Sequence, residues 1–224
     1  MRLEFADFHG AKRVISQRFT SQWRSLQRIL TRMPIHLKAS DQAGIQGNAI
    51  FDPVGTNAHM SERLAADGWH RKINLPPELR IWGTDVDFGR RGALVEAQFS
   101  NYPFLLNNVV RSELFFRNKT KFDDVRVGIV FIVTKAGMFP ASQSTLYYEQ
   151  ARAQLASLAA YKIFNVPVRL IGLFQAVGDT RATWCTYSGR YARETLQTRR
   201  RRFVVEPPAG GRVTAANRCR IRIL

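Results

Sequence analysis

Three side chains, Asp87, Glu96 and Gln98, could together hold a metal ion and a water; they stand in the spacing Asp-x8-Glu-x-Gln. Around them, Ala93, Val95, Ala97 and Phe99 alternate with other residues, which is strand behaviour. Residues two apart on a strand share a face, so Glu96 and Gln98 point one way and Val95, Ala97 and Phe99 point into the core. Asp87 belongs to the preceding strand or its end, and a turn through Gly89 to Gly92 folds it back beside Glu96. Two carboxylates meeting at a sheet edge repel, and one pKa rises. A hard cation with oxygen ligands, Mg²⁺, resolves that conflict. Such an ion polarises a phosphate oxygen and lowers the pKa of a bound water, which can then attack phosphorus in line. Gln98 is no base, but it can hold the water by hydrogen bonds. The spacing alone is a weak signal. Its rival is a pair of solvated turn acids on a half-exposed strand, and Asp85, Asp123 and Asp124 show how common acids near turns are in this chain.

The elements that position these residues follow from periodicity. Ile15, Phe19, Trp23, Leu26, Leu30 and Met33 form one helical stripe, ended by Pro34. Ser61 to Gly68 is predicted as a short helix with a serine cap and a glycine stop. Leu79 and Ile81 begin the strand behaviour that Ala93–Phe99 continues. Pro103 opens a helix through Phe116, and Leu146–Lys162 is a second strong helix. The runs Val125–Val133 and Val166–Phe174 are buried strands. The order argues an α/β fold: a central mixed β-sheet flanked by helices. The last fifty or so residues show no clear periodicity and are predicted as short strands and loops, a small β-rich C-terminal subdomain. The expected division is 1–175 and 176–224.

Charge names the class of partner. Lys and Arg number 34 against 17 Asp and Glu, for a formal net charge of +17. Such an excess attracts polyanions by steering and counterion release; the bland alternative is a merely soluble basic protein. The run Arg199–Arg202 suits phosphate contact or a solvated strand face. No stretch approaches the ~20 apolar residues of a membrane helix, and the N-terminus has no apolar signal region, so a cytoplasmic protein is expected. Cys185 and Cys219 have no metal-ligand spacing, and His36, His59 and His70 have no paired spacing.

The same region carries a resemblance. GTDVDFG (83–89), VEAQFSNYPFLLNN (95–108) and VRSELFF (110–116) are similar to the BglII-like type II restriction endonucleases, a glutamine-bearing branch of the PD-(D/E)xK nuclease superfamily. MPIHLKASDQA (33–43), IFDPVGTN (50–57), TKAGMFPAS (134–142), LYYEQA (146–151) and RYAR (190–193) extend it, while the tail after Arg193 matches poorly. The resemblance implies the restriction-endonuclease-like fold and a homodimer built by helix packing. Each active site then cuts one strand of double-stranded DNA, with Mg²⁺ as cofactor. It implies that Asp87 and the Ala97 carbonyl bind the metal, that Glu96 and Gln98 complete the site and orient the water, and that Gln98 replaces the superfamily's usual lysine. Lys72 departs from the family's asparagine; it is either a phosphate contact or a surface lysine. Ser100 and Asn101 would reach inner base pairs in the major groove, and Gln143 and Ser144 the outer one. Tyr191 and Arg193 would add groove contacts. Without the family, Ser100-Asn101 and Gln143-Ser144 would be helix-capping turns. The implied site is AGATCT, with a GATC core and 5′ overhangs, alongside a cognate DNA methyltransferase with which no direct contact is expected. Two other readings share parts of this one. Retained Asp87, Glu96 and Gln98 argue against a DNA-binding protein of the same fold without cleavage. Retained Asn101 and Ser144 argue against a repair nuclease without sequence preference.

Overall fold

Two apolar runs lie at the centre of the molecule because both of their faces are covered. In Ile129–Lys135 and Val168–Phe174 every residue is buried, the signature of strands with layers on each side. The computed structural model describes residues 1–224 except 76, 84, 143, 190, 191, 215 and 216. Its elements in the first half are β1 (Arg2–Phe8), α1 (Ala11–Arg18), α2 (Thr20–Arg32), β2 (Ile35–Ala39), β3 (Ala49–Phe51), α3 (Pro53–Ala66), β4 (His70–Asn74), a 3₁₀ turn (Pro77–Trp82), β5 (Asp85–Arg90), β6 (Ala93–Ala97) and α4 (Pro103–Arg117). The second half adds β7 (Lys121–Phe122), β8 (Val125–Arg126), β9 (Ile129–Lys135), α5 (Tyr148–Ala160), β10 (Val168–Phe174), β11 (Gly178–Thr186), β12 (Gln197–Glu206) and β13 (Arg220–Ile223).

The main sheet runs β1-β10-β9-β6-β5-β4. β9 is parallel to both β10 and β6, and the outer pairings are antiparallel. A second sheet runs β13-β12-β11-β2-β3. The α/β architecture with a mixed sheet is as predicted. Residue 175 falls in the connection between β10 and β11, and the strands of 176–224 share their sheet with β2 and β3 from the first half of the chain.

Several elements differ from the sequence reading. The single N-terminal stripe is two helices, because Phe19 leaves helical geometry (φ −125°, ψ 25°) and packs its ring on Gly128, where a Cβ would come within 2.9 Å of it. Ser61 is buried inside α3, which starts at Pro53; the true cap is Asp52, whose carboxylate accepts from the backbone N–H of Val54 and Gly55. Leu79 and Ile81 lie in the 3₁₀ turn, with Leu79 buried and Ile81 exposed. Of the C-terminal strands, β11 and β12 are long rather than short, while β13 is as short as expected. β11 and β12 form an antiparallel hairpin whose residues 197–202 are all exposed, so no buried face imprints a period on that stretch; only Phe203 and Val205 beyond it alternate inward. The helix from Pro103 and the strand of Val166–Phe174 are as expected.

Candidate active site and nucleic-acid interface

The β5–β6 hairpin brings the carboxylates together. Phe88 pairs with Val95 and Gly89 with Leu94, which sets Asp87 opposite Glu96 with both side chains on one face. Asp87 Oδ2 accepts from the Ala97 backbone N–H at 2.8 Å, and the Glu96 carboxylate accepts from the backbone N–H of Asp87. The connecting turn is two residues, Arg91 and Gly92, both at positive φ (45° and 77°), the pattern of a tight type I′ hairpin. The strand is not half-exposed. Glu96 and Gln98 are 2% and 3% exposed, which removes the solvated-acid alternative.

Helix α4 supplies the counter-charge. Arg111 Nη2 donates to Glu96 Oε1 at 2.5 Å in a buried ion pair. Gly83 makes room for it, since a Cβ there would lie 2.6 Å from Arg111 Nη1. Burial pushes the Glu96 carboxyl up to about 8 against the pull of Arg111, and the Asp87 charge adds to the rise. Asp87 is also raised, again chiefly by burial, with Asp85 adding to it. Two carboxylates facing one guanidinium in a low-dielectric pocket favour uptake of further positive charge, a proton or a cation. That donor set, carboxylate oxygens beside the main-chain carbonyl of Ala97 at the strand end, fits a hard divalent ion. Among the described residues no group of three or more His, Cys, Asp or Glu side chains could hold a metal alone. Main-chain oxygen and water would have to complete such a site.

Gln98 is more committed than its sequence suggested. Its Nε2 donates to Ser100 Oγ at 3.1 Å and to the Asn101 carbonyl at 3.2 Å, and its Oε1 accepts from Asn108 Nδ2 at 2.8 Å. Both amide hydrogens are used, and one lone pair of Oε1 is left for a water. Lys72 is exposed in β4 with a φ of 48°. Its neighbours Arg71 and Ile73 pair with Phe88 and Val86, placing Lys72 across the register from Asp87.

The proposed base readers sit on the rim of this site. Ser100, Asn101 and Ser144 are exposed. Helices α4 and α5 carry no side-chain cap, so the capping alternative for these residues finds no hydrogen bond. Instead the two segments are tied together: Leu146 N–H to Ser100 O at 3.0 Å, Tyr102 N–H to Ser144 O at 3.3 Å, and a β-bridge between Asn101 and Thr145. Arg193 is exposed between β11 and β12. Gln143 and Tyr191 lie outside the described residues. Arg199–Arg202 line the exposed part of β12, where Arg202 pairs with Asp179.

The sequence reading missed Asn108, Arg111 and Lys135. Asn108 and Ser112 fall on the same buried stripe of α4 as Leu105 and Val109, with Arg111 beside it, so polar residues on an otherwise apolar face were the available signal. Lys135 ends a continuous apolar run, and only its burial distinguishes it.

Comparisons with known proteins identify the family and the fold. The family model described as restriction endonuclease BglII/BglIII matches residues 3–173. The type II restriction enzyme BglII of Bacillus subtilis is 47% identical over 175 residues, 78% of this chain and 77% of that protein. The crystal structure of restriction endonuclease BglII complexed with a DNA 16-mer superposes with a TM-score of 0.95 at 41% identity, covering 100% of both chains. That of free BglII gives 0.75 at 37% identity, again with 100% of each covered. The fold thus continues through the C-terminal strands, beyond the family match. A family match over most of its length, on a fold that brings Asp87 to Glu96, means that this chain belongs to the BglII/BglIII family of restriction endonucleases and is a type II restriction enzyme.

Proposed function

We propose that the protein is a homodimeric, Mg²⁺-dependent endonuclease that cuts both strands of AGATCT after the first base, leaving 5′ GATC overhangs. The observation that carries this reading is the convergence of Asp87, Glu96 and the Ala97 main chain beside the exposed Ser100 and Asn101. Asp87 and the Ala97 carbonyl hold the ion, and Glu96, fixed by Arg111, completes the site. Bound there, Mg²⁺ would supply Lewis acidity at a phosphate oxygen and a more acidic water. Gln98 offers its remaining Oε1 lone pair to orient the attacking water, and Lys72 meets the scissile phosphate. Ser100 and Asn101 read inner base pairs; Gln143 and Ser144 read the outer one; Tyr191 and Arg193 add groove contacts. In this scheme residues 1–175 carry catalysis and dimerisation and 176–224 carry DNA contacts, in a cytoplasmic enzyme whose host DNA is protected by a cognate methyltransferase. Among the described residues no helix is long and apolar enough to cross a membrane.

Cleavage mapping on a randomised duplex library with Mg²⁺ tests the reading, with a single cut palindrome as the expected result. Scattered cutting would favour a nuclease without sequence preference, and binding without products would favour a non-catalytic relative. Asp87→Ala is expected to abolish cleavage, by at least about 10³-fold on the scale of a lost catalytic metal contact, while retaining a specific gel shift in Ca²⁺. Loss of both would make Asp87 structural.

A further inference from the structure

Asn108 and Arg111 stand one helical turn apart on α4; Arg111 fixes Glu96 in the scheme above, and Asn108 has no role in it. Both are buried, and their polar atoms point at opposite ends of the site. Arg111 Nη2 donates to Glu96 Oε1 at 2.5 Å and also to Asn108 Oδ1 at 3.3 Å. Asn108 Nδ2 donates to Gln98 Oε1 at 2.8 Å. Gln98 Nε2 in turn donates to Ser100 Oγ and to the Asn101 carbonyl. The result is an unbroken chain of hydrogen bonds from the metal-site carboxylate to the two exposed residues that follow β6. The members between its ends, Arg111, Asn108 and Gln98, are 6%, 9% and 3% exposed. Water is therefore poorly placed to substitute for any link, and displacing one group leaves its neighbour unpaired. The polarity of the chain is also set: Arg111 can only donate, so Asn108 must turn its oxygen toward Arg111 and its nitrogen toward Gln98. Gln98 must then turn its nitrogen toward Ser100 and Asn101.

We infer that Asn108 and Arg111 are positioning residues that couple base reading to metal binding: when Ser100 and Asn101 engage the correct bases, the chain holds Glu96 in the metal-competent orientation. A ligand can bias a second site only through a differential interaction that reaches it, and this chain is the physical link between the two. The inference rests on the endonuclease reading above. It adds a source of discrimination, in that a wrong inner base pair weakens ion binding as well as DNA binding.

The test measures Ca²⁺ affinity of the full-length protein by calorimetry in the presence of two duplexes, one containing AGATCT and one containing AGTACT. For the unsubstituted protein, Ca²⁺ is expected to bind at least about tenfold tighter with the AGATCT duplex, within the usual range of coupling between sites. In Asn108→Ala the difference should shrink to within about twofold, while Ca²⁺-free affinity for AGATCT stays within about fivefold. Asn108→Asp keeps the acceptor for Arg111 but not the donor to Gln98; it should fail in the same way, and it serves if the alanine variant does not fold. Asn108→Ala or Asn108→Asp retaining the full difference would overturn the coupling and leave these residues as structural ties. If the unsubstituted protein shows no Ca²⁺ binding with either duplex, the metal reading itself fails. If it binds Ca²⁺ equally well with both, the metal reading stands and only the coupling is lost.

Discussion

Lys135 shows how much a single buried side chain can organise. Its Nζ donates to the Phe99 carbonyl at 3.3 Å and to the Leu146 carbonyl at 2.8 Å, and it lies over the rings of Tyr147 and Phe51. Phe99 leads into Ser100 and Asn101, and Leu146 follows Ser144 and Thr145, so one ammonium group ties both rim segments to the end of β9. Burial, reinforced by Arg218, lowers its pKa to about 7 from an ordinary 10.5. The unfolded chain holds this proton up to about pH 10.5, whereas the folded protein releases it near 7. Between those values the unfolded state binds more protons, so this residue makes stability rise with pH across that window and costs most below it. Lys135→Met would remove that slope, take the side-chain donor from the Phe99 carbonyl and leave the Leu146 carbonyl only its 3.4 Å bond from Thr134 Oγ1, at about 1–3 kcal/mol. Thermal denaturation from pH 6 to 10 should show the variant least harmed at the acid end and most harmed at the alkaline end; parallel profiles would mean the lysine keeps its proton throughout. Nothing in the sequence marked this residue, because a lysine closing an apolar strand is most often a solvated end. Asp87, Glu96 and Gln98 were legible because alternation on a strand assigns faces without any knowledge of the partner. Arg111 and Asn108 were not, because which groups a helix face meets is decided by packing.

At the scale of elements, the site depends on the turn that reverses β5 into β6. Gly92 has a φ of 77°, and a Cβ there would lie 2.4 Å from the Arg126 carbonyl oxygen. Gly92→Ala therefore meets both backbone strain, about 1–2 kcal/mol for a left-handed residue, and a clash with main chain that a rotamer change cannot relieve. A loss of at least about 2 kcal/mol in urea denaturation is expected, with cleavage falling as Asp87 loses its register with Glu96. Unchanged stability would show that the β7–β8 segment yields easily. The turn itself was readable, since its glycine pattern announces a reversal. So were α4, opened by Pro103, and the fully buried β10, apolar but for Arg169. The strands β2, β3 and β4 escaped notice: they are short, and β4 is mostly exposed, so neither length nor alternation lifts them above the surrounding loops. The kink at Phe19 escaped for another reason. A helical stripe records which residues are buried, and Phe19 is buried on either account; only its fit against Gly128 breaks the helix.

For the molecule as a whole, charge and symmetry make separate demands. A net charge of +17 supports binding to any duplex, and that part of the affinity should fall steeply with salt, as counterion release requires. In the proposed homodimer, both strands of one palindrome are cut by two sites related by a two-fold axis. The surface offers a place for that contact. Phe104 and Leu106, at the start of α4, are 52% and 49% exposed, and Ile81 and Trp82 of the neighbouring 3₁₀ turn are exposed beside them, with Asn107 hydrogen-bonded to the Trp82 carbonyl. Large apolar groups clustered in the open mark an interaction surface more often than chance. The double substitution Phe104→Glu, Leu106→Glu places four like charges across such an axis. It should raise the dimer dissociation constant by at least roughly 10³-fold, the factor for about 4 kcal/mol, which two central interface losses of about 2 kcal/mol each already supply before the two-fold axis repeats them. Sedimentation velocity at micromolar protein would then give the mass of one chain. Supercoiled plasmid should accumulate as the nicked circle before any linear product, because strands cut by separate encounters are not cut together. A variant that still sediments as two chains would move the interface elsewhere on the surface. A monomer that linearises plasmid in one step would break the link between symmetry and double-strand cleavage, since one site would then have to serve both strands.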